Sequence, residues 1–369
     1  MRVVIAPDKF AGTLSAREAA KAIAVGWHRA APDDLLHLAP MSDGGPGFVE
    51  VLAAALEGEV HLVSVPGTYG EPATVSILIA DGVAYIESAQ ACGLALTDRR
   101  EPTLGTSYGV GAAMVAAVEY PITKIIIGLG GTGTNDGGTG MLAALGATAN
   151  VPLHEGPLAL TGMSHIDISA AKAKLGDVAI EIAADVQVPL LGMFGASKTF
   201  GPQKGLTDAE IIEIDGILDN YVNVLCGSSP SERAIADSKG AGAAGGIGFA
   251  LLALGGTVVS GIDIVAKATQ IERRIAQSEL VVTGEGAFDF SSRTGKVVYG
   301  IAQIAERTAR PCIVVAGSVD VGAREMRALG VESAYGITDR VDREKAMAEP
   351  ARYLADVAAR AARTWSRSP

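Results

Sequence analysis

The chain has 369 residues, 49% of them apolar, and a formal net charge of −11. That length suits two domains, and the apolar content excludes a disordered chain. The acidic balance argues against nucleic acid or an anionic membrane as main partners, so an anionic substrate needs a local cluster of lysine or arginine. Three separated cysteines, Cys92, Cys226 and Cys312, fit a reducing cytosol with neither a disulfide framework nor a zinc ribbon. The five histidines form no metal-ligand spacing. No apolar run approaches the roughly 20 residues of a membrane span, and the opening residues lack a signal-peptide layout. A cytoplasmic protein is expected.

In chain order, short apolar runs alternate with helical patterns, the signature of a parallel α/β sheet. Residues 3–6, 35–39, 125–129, 181–184, 280–283 and 312–316 are predicted strands. In open α/β sheets ligands gather beyond the carboxyl ends of strands, so chemistry is sought there.

After the first strand stand Asp8 and Lys9, with Thr13 or Ser15 placed to cap a helix from Ala16. Lys9 offers charge to an anionic substrate. After the second come Ser42-Asp43-Gly44-Gly45-Pro46-Gly47 and a helix over 48–56. Asp-Gly-Gly at a helix start supplies free N–H groups and a carboxylate. Residues 61–87 alternate like hairpin strands between turn signals.

The third strand runs into Gly128-Leu129-Gly130-Gly131-Thr132-Gly133-Thr134-Asn135-Asp136-Gly137-Gly138. Strand, glycine loop and helix together let backbone N–H groups approach an anion, which predicts phosphate handling. Gly128-x-Gly130-x-x-Gly133 matches the dinucleotide fingerprint only formally. The stretch 147–155 is a poor second strand with Pro152 in it, and no Gly-Lys-Ser/Thr follows for a Walker A loop. Asn135 and Asp136 are the loop's candidate polar contacts.

Asp185 follows the fourth strand, with Lys198 and Lys204 within 20 residues. A strand-end carboxylate with lysines can pair a general base with phosphate neutralisers. The glycine cluster 240–248 has no strand before it, so it reads as a helix opening or a close packing site. After the fifth strand, Glu285 and Asp289 precede Lys296 and a helix over 297–307. Two carboxylates beside phosphate oxygens are how Mg²⁺ is usually held. An amphipathic helix over 352–360 ends the pattern.

These blocks, in this order from Ile5 to about Gly317, resemble the bacterial glycerate kinase type I family. They include Ala6-Pro7-Asp8, Pro40-Met41-Ser42-Asp43-Gly44-Gly45, Glu87-Ser88-Ala89-Gln90-Ala91-Cys92-Gly93-Leu94, Thr106-Ser107-Tyr108-Gly109-Val110-Gly111, and residues 128–140, 200–205, 240–248 and 283–296. The resemblance implies ATP- and Mg²⁺-dependent phosphorylation of D-glycerate, typically to 2-phosphoglycerate. It also implies a flavodoxin-like domain with a second α/β domain inserted. On that frame residues 1–65 and 278–369 form the first, 66–277 the second, and a cleft between them holds the ligands. The alternative is a single large sheet.

The implied roles are these. Asp185 is the base, and Lys204 and Asp289 join it as catalytic groups. Asp8, Lys9, Asp43, Gly44 and Gly45 frame the acid, together with Lys204. Gly130, Gly131, Thr132, Asn135, Asp136 and Lys296 hold nucleotide phosphates. Glu285 and Asp289 bind the metal. The chain departs from the family pattern at Lys9-Phe10-Ala11, where the family carries its lysine two positions later, and at Pro46, Ala112, Val188, Ala287 and Ser291. A non-catalytic sensor of the same descent and a nicotinamide-dependent oxidoreductase are the competing readings. A monomer or homodimer is expected.

Overall fold

The computed structural model describes residues 1–10, 12–289 and 296–366. Its two main sheets contain, in chain order, β1 (Arg2–Ile5), β2 (Leu35–Leu38), β3 (Glu59–Pro66), β4 (Pro72–Ala80), β5 (Val83–Glu87), β6 (Lys124–Gly128), β7 (Ala179–Ala183), β8 (Thr257–Val259), β9 (Leu280–Thr283), β10 (Cys312–Ala316) and β11 (Ser333–Gly336). All six strands expected from apolar runs are present, and residues 61–87 do form hairpin strands.

The chain divides into two units. One comprises Met1–Asp43, Glu50–Leu56 and Ser260–Pro369, the other Gly44–Val49 and Glu57–Val259. The changeovers therefore fall at 43–57 and at 260, where the sequence placed them at 65 and 278. The reason at the first is the pairing of β3 with β4, which ties residues 59–66 to the second unit's sheet.

In the first unit the order is β11-β10-β9-β1-β2, and each neighbouring pair is parallel. Numbered within the unit this is 2-1-3-4-5 reversed end for end, the flavodoxin-like order. β1 and β9 are buried along nearly their whole length, as strands covered on both faces must be. The helix Ala16–Ala30 begins at a capping box: Glu18 N–H donates to Ser15 Oγ (3.2 Å) and Ser15 N–H to Glu18 Oε2 (2.9 Å). It packs on the terminal helix Pro350–Trp365, and a Cβ on Gly26 would lie 1.9 Å from the Ala355 carbonyl oxygen. Ile23, Trp27, Val282, Val315 and Leu354 fill the core between these helices and the sheet.

In the second unit the order is β8-β7-β6-β5-β4-β3, with β3–β4–β5 antiparallel and β5 to β8 parallel. Ile86, Ile125, Ile127, Ile182, Tyr221 and Phe249 lie in its core. The stretch after the glycine loop yields only a two-residue strand, Thr148–Ala149, paired with Ile166–Asp167 outside the main sheet. The second strand that a dinucleotide site requires is therefore absent there.

Candidate active site

The first unit reverses its strand order between β1 and β9, and such switch points open a crevice beyond the strand ends. The backbone locks the two ends together. Ala6 N–H donates to the Val282 carbonyl (2.7 Å), Asp8 N–H to that of Gly284 (2.8 Å), and Thr283 Oγ1 to that of Ala6 (2.8 Å). Gly284 has no room for a side chain, since a Cβ would sit 2.1 Å from the Val315 carbonyl oxygen.

Three of the expected residues meet at this point. Lys9 Nζ lies 3.5 Å from Asp8 Oδ1 and 3.4 Å from Asp43 Oδ1, and Lys9 N–H donates to Asp8 Oδ1 at 2.7 Å. Asp8 is 6% exposed. Burial pushes its carboxyl up to about 7; Asp43 and, more weakly, Glu285 add repulsion, while Lys9 works against both. Burial works to lower the Lys9 ammonium, but Asp43 and Asp8 outweigh it and hold the group above its ordinary value. At the end of β9, Glu285 is buried and Lys296 Nζ stands 3.6 Å from its Oε2. Asp289, partly buried, follows the short strand Ala287–Phe288. Ala11 and Ser291 lie outside the described residues.

The second unit brings together two glycine loops. Gly44, at φ 94°, is held where a Cβ would strike the Ala183 carbonyl oxygen at 2.6 Å. A Cβ on Gly128 would meet the Gly44 carbonyl at 2.4 Å, one on Gly130 the Gly45 Cα at 3.0 Å, and one on Gly131 the Pro46 ring at 2.8 Å. Gly44 and Gly45 thus lie backbone to backbone against Gly128 and Gly130, and Gly131 faces the Pro46 ring. Glu87, at the end of β5, accepts from Gly47 N–H (3.0 Å) and Val49 N–H (3.4 Å), fixing the start of the helix Phe48–Ala55. Sequence reading gave Glu87 no role. Its signal was its place at a strand end, the same criterion that singled out Asp185. Asp185 itself is partly exposed just beyond β7.

Deeper in the loop the expected residues are buried and bonded within the protein. Asn135 and Asp136, read as ligand contacts, are both fully buried. Asp136 accepts from Ser107 N–H and Oγ (both 2.8 Å), Gly138 N–H (3.1 Å) and Gly140 N–H (3.2 Å). A carboxylate that gathers four donors holds its own loop in shape. Burial still raises its pKa against those bonds. Asn135 Nδ2 donates to Ser197 Oγ at 2.8 Å. Lys204, expected at the substrate, is 2% exposed and donates to the Thr134 carbonyl at 2.5 Å. Burial pulls it down to about 8, although Cys92 and Asp136 nearby oppose the shift. Lys198 is exposed and paired with Asp208 at 3.0 Å, as a solvated lysine should be. The glycine cluster at 240–248 proves to be a packing site: Gly137 N–H donates to the Gly245 carbonyl, and a Cβ on Gly245 would lie 2.0 Å from the Thr134 carbonyl.

The first unit carries acids and two lysines at a flavodoxin-like switch point, and the second unit carries a glycine loop, features that phosphoryl transfer can use. The glycerate kinase family model matches residues 3–366. The Escherichia coli K12 protein named glycerate 2-kinase is 42% identical over 348 residues, covering 91% of this chain and 90% of that one. A Halalkalibacterium halodurans glycerate kinase is 35% identical, with 92% and 91% covered. A crystal structure from Salmonella typhimurium LT2, assigned to glycerate kinase 2, superposes with a TM-score of 0.77 at 36% identity, covering 99% of this chain and 98% of that one. The chain belongs to the glycerate kinase family, and it is a kinase. Among the described residues no helix is long and apolar enough to cross a membrane.

Proposed function

We propose that the chain transfers the γ-phosphoryl group of ATP to D-glycerate and yields 2-phosphoglycerate. The observation that carries this reading is the Asp8–Lys9–Asp43 cluster at the β1/β9 switch point. It sets one cation among carboxylates in a protein of net charge −11. The E. coli relative's name supports the 2-position.

Phosphoryl transfer asks the protein mainly for positioning and charge neutralisation. Lys9 meets the carboxylate of glycerate, and Asp8 and Asp43 orient its hydroxyls. Backbone N–H groups of Gly44, Gly45, Gly130 and Gly131, with Thr132, cradle phosphate oxygens, and Lys296 neutralises them. Asp185 accepts the proton of the attacking hydroxyl. Asp136 and Lys204 hold the loop's backbone, and Asn135 ties the loop to Ser197. Among the described residues no three His, Cys, Asp or Glu side chains group around one ion position. Mg²⁺ in kinases is commonly held by one or two carboxylates plus phosphate oxygens, which is the donor set Glu285 and Asp289 supply. When bound there it would neutralise phosphate charge. Three unpaired cysteines, two of them buried, suit a reducing cytoplasm.

Phosphorus NMR of the product of a glycerate–ATP reaction tests activity and regiochemistry together. Asp185→Asn, folded, should lose at least 100-fold in kcat, given what a general base contributes. Near-wild-type turnover would remove Asp185 from that role. Glycerate binding without turnover by the wild-type protein would favour a sensor.

A further inference from the structure

The second unit carries a groove to which the roles above assign nothing. Tyr69, Leu104, Tyr108 and His154 line it, with Arg99 and Glu155 adding charge. It encloses about 500 Å³, within the range of small-molecule sites and far larger than a three-carbon acid needs. The Tyr108 and His154 rings meet edge to face at 5.8 Å, and the Arg99 guanidinium lies 4.4 Å over the Tyr69 ring. Aromatic faces and a planar cation are the surfaces on which a heteroaromatic base stacks.

The segment that forms the groove wall packs against the phosphate loop. A Cβ on Gly105 would stand 3.5 Å from the Gly133 carbonyl oxygen, and Leu94 N–H donates to the Gly131 carbonyl at 2.8 Å. Thr106, in the groove wall, donates its N–H to the Thr68 carbonyl at 2.9 Å. Thr68, next to Tyr69, is 1% exposed, and its hydroxyl has no partner among the described residues.

We propose that this groove receives the purine base of the nucleotide, stacked on the aromatic side chains, with the phosphates running toward Gly130–Thr132. The proposal rests on the kinase reading and extends it to the part of ATP that does not react. Glycerate and a second protein chain are the competing occupants. The first is too small for the space, and the second is opposed by the charged Arg99, Glu101 and Glu155 around it.

Two measurements test it. Photolabelling the wild-type protein with 8-azido-ATP should modify peptides containing Tyr69, Tyr108 or His154, and excess ATP should protect them. In parallel, His154→Ala and Tyr69→Ala should each raise the KM for ATP about tenfold, the loss expected when one stacking surface is removed, while the KM for glycerate moves less than twofold. Label confined to other peptides overturns the proposal, as does a rise in the glycerate KM with the ATP KM unchanged. The kinase reading fails separately: label in the groove with no phosphoglycerate formed sinks that reading and leaves the base site standing. Turnover with label elsewhere does the reverse.

Discussion

At the scale of single residues, this site sets stability against function. Asp8 is buried beside two other acids, and its folded pKa stands at about 7 against an ordinary 3.8. Between those values the folded state binds the proton and the unfolded state has released it. The contribution of Asp8 to stability is therefore full below pH 3.8, falls as pH rises, and is lost above about 7. Asp8→Asn should match the wild type in melting temperature near pH 4 and exceed it at pH 8, while its KM for glycerate rises about tenfold, the cost of one charge-assisted contact. Melting curves at both pH values check the sign; equal differences at pH 4 and 8 would contradict it. Asp136 illustrates the opposite economy. Asp136→Asn would turn an NH₂ donor toward the donors of Ser107, Gly138 or Gly140, leaving at least one buried group unpaired. A loss of about 1–3 kcal/mol is expected from urea unfolding. Asp136 also marks where sequence reading stopped. A carboxylate within a glycine loop signals polar chemistry, but its principal partner, Ser107, lies 29 positions away, and no local pattern reveals that distance.

At the scale of elements, strands were legible where apolar runs were dense. β9 and β10 have the expected bounds because they are buried runs flanked by turn residues. β8 and β11 escaped for a physical reason. Thr257–Val259 is three residues long at a sheet edge, and Ser333–Gly336 is a weakly apolar edge strand whose residues are mostly half-buried. Glycines in helices were equally ambiguous until packing was known. Gly26 and Gly216 both sit inside helices, yet a Cβ on Gly26 meets the Ala355 backbone while one on Gly216 meets nothing within 4 Å. Gly26→Ala should destabilise by about 1–3 kcal/mol or more, since the obstruction is backbone and cannot rotate away. Gly216→Ala should stabilise by roughly 0.5–1 kcal/mol through helix propensity. Chemical denaturation of the pair decides the matter, and the same sign for both would refute the packing argument.

At the scale of the whole molecule, the proposed function has a protein of net charge −11 act on two anions. That balance was legible from composition; where the few useful cations stand was not, because Lys9 gains its meaning from Asp43, 34 positions away. The two facts have opposite reach. At 10 mM ionic strength the screening length is about 30 Å, so glycerate approaching the site feels the acidic surface as a whole. At 0.15 M it is about 8 Å, and only the near charges, Lys9 foremost, are felt. Raising salt with an inert electrolyte should therefore increase kcat/KM for glycerate from 10 mM to 0.15 M, as the general repulsion is screened before the local attraction. Lys9→Gln should lower kcat/KM at every ionic strength, yet keep the rise with salt, because the repulsion it leaves behind is unchanged. A wild-type kcat/KM that falls steadily with salt would mean that a cationic field already dominates at long range, which 41 acidic against 30 basic side chains oppose.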